Sequence, residues 1–229
     1  MQGESTEEFR NFDNSFAKLS IFEVTSDIAI KNYWGTEIQK LLEKFDVKKN
    51  NNAKKLLEVF SKNILESNEL YELTLVYIVS IFEFYLLDVL RYIFRKKIVS
   101  LKTRDRKIDY ETLIDFKTID ELYDYMIERE IEKVSFKKIE DIGEYFSSKF
   151  KINFFKDKGY EEKIKEIFCR RNILVHNMGK VNKKYLEITK TKEMELNQKI
   201  KVDRDYLVEV RNIIYVNARF IDYQILKKF

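Results

Sequence analysis

The segment Cys169-Arg170-Arg171-Asn172-Ile173-Leu174-Val175-His176-Asn177 carries the single histidine of the chain, preceded by two adjacent arginines. An imidazole titrates near about pH 6.5, so it can take or give a proton at a working pH close to neutral. A guanidinium is a permanent, forked cation suited to a phosphate whose charge grows in a transition state. Asn172 and Asn177 add hydrogen-bonding amides that can hold the imidazole or a nucleotide. Together these are the parts needed to cleave RNA without a metal: a base removes the 2′-hydroxyl proton while a cation steadies the crowded phosphorus. Spacing sets a condition on this chemistry. On an ideal helix Arg171 and His176 are about 140° of rotation and ~7.5 Å of rise apart. They reach one phosphate only where the helix end faces a cleft or a partner.

The surrounding residues extend the candidate set. Lys180, Lys183 and Lys184 follow the histidine and suit a phosphate backbone, and Tyr185 could stack on a base. Glu83 lies in an apolar run, where an acid needs a buried cationic partner; Arg171 is one candidate. Each residue also has a plainer reading. His176 could hydrogen-bond at a helix end, Asn177 could terminate that helix, Arg170 could be a surface or phosphate-contacting residue, and Cys169 a small core residue. With one histidine and one cysteine the chain offers no zinc site, and it has no glycine-rich phosphate loop. No metal and no cofactor are expected.

Helices must position these residues. Proline is absent and only 5 glycines occur in 229 residues, which argues for helices joined by short polar turns. Ser5-x-x-Glu8 reads as a capping box opening an amphipathic stretch to about residue 45, with a break expected near Trp34-Gly35. A turn at 48–52 precedes a helix over about 53–65, and a long apolar helix covers about 69–97. Residues 99–117 read as a basic, irregular connection. Thr118-x-x-Glu121 opens a helix to about Glu130, and Ser135 is a candidate cap for another to about Lys149. The motif helix follows the turn at 156–160 and ends near Met178, because Gly179 suits the left-handed position after a helix. Residues 185–202 alternate like a small β-hairpin. Asp203 caps a last helix with one apolar stripe through Leu207, Val210, Ile213, Ile214, Phe220 and Ile221.

A net charge of +4, from 43 basic and 39 acidic residues, makes no global demand for a polyanionic partner. Its distribution is uneven. Residues 91–107 hold eight basic side chains against Asp105 alone, and residues 170–192 hold seven against Glu187. These two segments would line a nucleic-acid path if the fold joined them; otherwise they are solvated helix ends. A lone cysteine and a polar, acidic amino terminus that does not read as a signal peptide favour the cytoplasm. The apolar window at 73–90 contains Glu83 and Asp88 and is read as a core helix, with no membrane span.

The string "RRNILVHN" at the end of a helix in an all-α chain resembles the R-x(4–6)-H signature of the HEPN superfamily, with Asn172 as the polar residue directly after the arginine. "RRNILVHNMGKVNKKYL" is similar to bacterial HEPN-like proteins ending VHN-x-G-x-V-N. "YIVSIFEFYLLDVL" is similar to their earlier core helix, which often bears an acid where Glu83 lies. The resemblance covers roughly half the chain. It implies a single all-α domain over 1–229, a HEPN-like bundle with its core at about 53–98 plus 160–229. Residues 1–52 and 99–159 would be additional helices. It further implies a metal-independent endoribonuclease acting on single-stranded or loop RNA, with Arg171 and His176 as the catalytic pair. Asn172, Arg170, Asn177 and Glu83 would support them; Arg170 also fits the motif as its arginine. The family commonly forms homodimers with motif helices meeting at the two-fold axis, so a composite site is expected, and toxin or phage-defence roles bring a possible antitoxin partner. The alternatives are a non-catalytic HEPN-like module that binds RNA, a nucleotide or a protein, and a plain helical dimer or scaffold in which Arg171 pairs with Glu83 for stability.

Overall fold

Apolar residues recur every three or four positions between Leu75 and Phe94, and the chain answers with a 29-residue helix. The computed structural model describes residues 4–44, 55, 68–102, 107–191 and 194–229. Among them the fold is all-α, with eight α-helices and no strand. These are α1 (Glu7–Lys44), α2 (Asn68–Lys96), α3 (Tyr110–Ile114), α4 (Ile119–Ser135), α5 (Ile139–Tyr145), α6 (Lys158–Asn177), α7 (Lys183–Thr189) and α8 (Arg204–Lys228). A 3-10 turn at Ile98–Leu101 follows α2, and a π turn at Phe146–Phe150 extends α5.

By length and composition alone α2 passes for a membrane span. Its stripe Leu75, Ile78, Phe82, Leu86, Leu90 and Ile93 is instead fully buried, wrapped by α1, α4, α6 and α8. Phe9, Phe12, Phe16 and Leu19 of α1 belong to the same cluster, so the first helix contributes to the hydrophobic core. Tyr215 of α8 lies 5.8 Å from Phe9 and 6.5 Å from Phe12, ring to ring. The final helix buries Leu207, Val210, Ile213, Ile214 and Ile221 as expected, while Phe220 is only partly buried. Asn217 sits on that stripe fully buried, donating to Phe154 O at 3.0 Å and accepting from Lys156 N at 3.1 Å. Its amide thereby ties the approach to α6 onto α8 and satisfies two backbone groups that burial would otherwise orphan.

Several expected boundaries shift for physical reasons. The first helix is capped by Thr6, not Ser5: the Thr6 hydroxyl accepts from Phe9 N at 3.1 Å and itself donates to buried Asp222 at 2.6 Å. No break occurs at Gly35, because a single glycine costs a helix only about 1 kcal/mol and α1 runs on to Lys44. Ser135 ends α4 instead of opening α5, whose N-cap Lys138 makes no side-chain cap. Thr118 and Asp203 cap α4 and α8 as expected. The turn at 48–52 and, apart from Lys55, the helix at 53–65 lie outside the described residues. In place of the expected hairpin stands α7, and one isolated antiparallel bridge joins Lys180 before it to Lys199 after it.

The Asp222 carboxylate receives the Thr6 N–H at 3.1 Å as well as its hydroxyl. Asp222→Ala leaves two buried donors unpaired, so stability is expected to fall by about 1–3 kcal/mol. Urea unfolding measures it, and an unchanged midpoint would show that this tie contributes nothing.

Candidate functional site

The motif helix starts where Asp157 accepts from Tyr160 N at 3.0 Å and ends in two successive left-handed residues, Met178 (φ 51°) and Gly179 (φ 74°). The Met178 and Gly179 N–H groups both donate to Ile173 O, a closing pattern that turns the chain sharply out of the helix. A Cβ at Gly179 would meet Leu174 Cδ2 at 3.4 Å besides adopting an unfavourable φ. Asn177 then fixes the exit: its Nδ2 donates to Lys180 O at 2.5 Å and its carbonyl accepts from Lys180 N at 2.9 Å. Residues 179–181 pair with 197–200, and Asn182 caps α7 by accepting from Tyr185 N at 2.9 Å. The result is a cleft of about 330 Å³ between the end of α6 and the start of α7.

His176 lines that cleft with Asn172, one helical turn before it, and with Asn177, Asn182 and Lys184; Cys169, Ile173 and Tyr185 complete the lining. The imidazole is exposed, and among the described residues no hydrogen bond engages it. Lys180, Lys183 and Lys184 are all exposed along the same exit segment. Nothing in the lining is acidic.

Arg171 is elsewhere. Its guanidinium is ion-paired with Glu83 on α2 and stands 5.8 Å from the Phe168 ring centroid. Burial pushes the Glu83 carboxyl above its usual range, and Arg171 offsets part of that rise. The Arg171 Nε is buried with no hydrogen-bond partner among the described residues. Arg171 and His176 are thus not brought together within one chain, as their rotation of about 140° requires.

The two arginines divide their roles. Arg170 is 8% exposed and is neither at the surface nor available to a phosphate. It donates to Glu166 at 2.7 Å, to Lys201 O at 2.7 Å and to the Tyr185 hydroxyl at 3.2 Å, and stacks 4.0 Å from the Tyr206 ring centroid. Tyr185 and Tyr206 both donate to Glu166, at 2.6 and 2.7 Å. Tyr185 is 2% exposed, so it offers no free face for base stacking. Burial, and next the Glu166 charge, holds its hydroxyl far above the usual phenol range. This closed network anchors α7 and α8 to the motif helix.

Helices α2 and α6 run antiparallel: Phe82 meets Phe168, Glu83 meets Arg171, and Glu72 lies 3.7 Å from Lys199, which bridges back to Lys180. Leu73, Tyr77 and Phe84 lie about 80–120° round α2 from Glu83, and Val175 lies about 40° round α6 from Arg171. In antiparallel helices the same sense of rotation leads to the same side of the pair. The exposed side of α2 therefore carries Leu73 (68%) toward the Glu83–Arg171 seam, where Val175 (51%) of α6 is also exposed, and Tyr77 (57%) and Phe84 (67%) toward α1, whose Glu8, Asn11 and Ser15 line a groove with them. Asn172 and His176 follow Val175 round α6.

Among the described residues the two basic segments do not form one path. Among the same residues the second lies at the carboxyl end of α6, near the start of α2, and the first occupies the last turns of α2 and the residues to Lys102, roughly 30 Å away at ~1.5 Å per residue. Arg91 is paired with Asp88 and Glu128, and Arg95 with Asp124, so the acids of α2 and α4 engage them.

Cys169 is half-buried; burial pushes its thiol up, Glu140 adds to the rise and Lys184 opposes it. Iodoacetamide at mildly alkaline pH is expected to label the native thiol several-fold more slowly than the urea-unfolded one. Equal rates would contradict the burial. Sequence reading missed Asn182 as a cleft residue and Glu166 as the hub under it. The cap signature Asn182-x-x-Tyr185 and the helical i,i+4 spacing of Glu166 and Arg170 were their legible signals. Compared with protein-family models, with curated proteins and with solved structures, the chain matches none of them, so the resemblance to HEPN proteins rests on its own residues.

Proposed function

We propose that the chain is a metal-independent endoribonuclease of HEPN type, cutting single-stranded or loop RNA as a homodimer. The observation that carries this reading is the sole imidazole, free of structural bonds among the described residues, open in an acid-free cleft beside an exposed lysine. In the proposed step His176 takes the proton from a ribose 2′-hydroxyl. The 2′-oxygen attacks the adjacent phosphorus, and the bond to the 5′-oxygen breaks as that oxygen takes a proton from water, the imidazolium afterwards losing its own to solvent. The products are a 2′,3′-cyclic phosphate and a 5′-hydroxyl. Arg171 supplies the cation for the phosphorane, displaced from Glu83 by the incoming phosphate or shared with it.

A second copy supplies the missing convergence. The exposed apolar residues beside the Glu83–Arg171 seam form a surface that a two-fold partner would cover, and a two-fold operation repeats every contact. Arg171 of one chain would then work beside His176 of the other. A toxin or phage-defence role, with or without an antitoxin, follows from the resemblance. The pairing of Arg171 with Glu83 favours one competing reading, a helical dimer or scaffold in which that pair serves stability; a non-catalytic module that binds RNA, a nucleotide or a protein is the other alternative.

Mixing two inactive variants tests the composite site. Arg171→Ala and His176→Ala are each expected to be inactive alone. Mixed in equal amounts and allowed to exchange, half the dimers pair one of each and hold one intact site of two, which restores roughly a quarter of wild-type cleavage. Recovery must persist in EDTA. No recovery despite proven subunit exchange would exclude a shared site, and intact RNA with retained binding in wild type would favour the module.

A further inference from the structure

The cleft beside His176 is more than a place for a phosphate. Beside the imidazole its lining consists of neutral amides with one cation, Lys184, and no acid, while Ile173 and Tyr185 in the same lining are buried. Two of the amides are unspent. Among the described residues nothing hydrogen-bonds the exposed Asn172 side chain, and Asn182 uses only its Oδ1, to cap α7, leaving Nδ2 free. Asn177 is spent on the Lys180 carbonyl. A planar base with donors and acceptors on its edge matches this arrangement: the edge meets the free amides, and no stacking face is required of the buried Ile173 and Tyr185. An asparagine amide, a donor beside an acceptor, pairs in bidentate fashion with base edges, and unpaired RNA bases are recognised in this splayed-out form.

We infer that this cleft binds one unpaired nucleobase of the RNA, that of the nucleotide whose 2′-hydroxyl lies at His176, and so gives cleavage a base preference at that position. Asn172 and Asn182 read the base edge, and Lys184 holds the 3′-phosphate. The inference rests on the nuclease reading for its consequence but has a readout of its own. It also assigns Asn182, which that reading leaves unused, a specificity role, and it makes the substrate an extruded base in a loop or single strand, since a stacked duplex base has no access to the cleft.

The sole histidine makes the test direct, because its two ring C–H protons are the chain's only imidazole signals. The four ribonucleoside 3′-monophosphates and inorganic phosphate are titrated into the full-length protein while those signals are followed by NMR. At least one nucleotide is expected to shift them saturably, at tenfold or lower concentration than inorganic phosphate. Asn172→Ala is expected to weaken that nucleotide several-fold. Asn182→Asp, which keeps the cap oxygen but replaces the free Nδ2 donor by an acceptor, is expected to do the same without melting α7. Nucleotides no better than inorganic phosphate, or variants that bind like wild type, overturn the base pocket. Cleavage-site mapping on RNA of random sequence separates the two ideas. Cutting with no preference for the base bearing the cyclic phosphate overturns the pocket and leaves the nuclease, whereas saturable nucleotide binding without any cutting supports the pocket and removes the nuclease.

Discussion

Replacing His176 by alanine is expected to slow RNA cleavage by ~10²–10⁴-fold, the range a positioned general base contributes, while the protein melts as before. The ring is exposed and, among the described residues, unbonded, and surface substitutions of this kind change stability by less than about 0.5 kcal/mol. Arg171→Ala is expected to lose ~10²–10³-fold in rate, as removal of one transition-state donor does, with a different signature. It leaves the Glu83 carboxylate half-buried and without its cation, so the melting temperature falls as well. The pair of variants therefore separates chemistry from fold: one loses rate alone, the other loses rate and stability. Mass spectrometry of the wild-type products should find 2′,3′-cyclic phosphates, with or without EDTA. Wild-type cleavage by the His176→Ala protein would remove the proposed base and the nuclease reading with it.

The largest effect on stability is expected at the neighbouring arginine. Arg170→Ala removes three hydrogen bonds and a ring contact and leaves Glu166 as an acid enclosed by two tyrosine hydroxyls. Breaking a buried pair by removing one partner costs about 3–5 kcal/mol, a large share of the ~5–15 kcal/mol that holds a domain together. Urea unfolding should show a midpoint far below wild type, and activity should vanish through unfolding. Arg170→Lys keeps the charge but cannot fork toward Glu166, Lys201 O and Tyr185 together, so it should fall between. A wild-type midpoint for Arg170→Ala would mean that the network contributes nothing. In that case the choice of Arg171 over Arg170 as the motif arginine loses its physical basis.

What the chain discloses before folding follows from how local each signal is. The helices of the core were legible because burial imprints a period on neighbouring residues, as in Leu75 to Ile93 and Leu207 to Ile225. Caps made by one side chain three residues away, at Thr118 and Asp203, were equally plain. Thr6 was not, because its hydroxyl is held in place by Asp222 at the opposite end of the chain. Nor was the fate of residues 185–202: their alternation suits a strand, but Tyr185 is drawn under the motif helix by Arg170 and Glu166, and a helix forms around it. In the site, the rotation of about 140° that separates Arg171 from His176 was legible from their spacing. The burial of Arg170 and Tyr185, and the engagement of Arg91 and Arg95 by acids, depend on which helices pack together, which no short window contains.

The tie between Thr6 and Asp222 spans 216 positions of sequence, and Tyr215 completes the aromatic cluster on Phe9 and Phe12. On a ribosome adding ~5–20 residues each second, the first helix waits roughly 10–40 s before its closing partner is made. During that interval its phenylalanines can rest only on α2, with one side still bare. The fold is thus assembled late and from both extremities at once. Chaperone occupancy on nascent chains should accordingly persist until the last helix has cleared the exit tunnel.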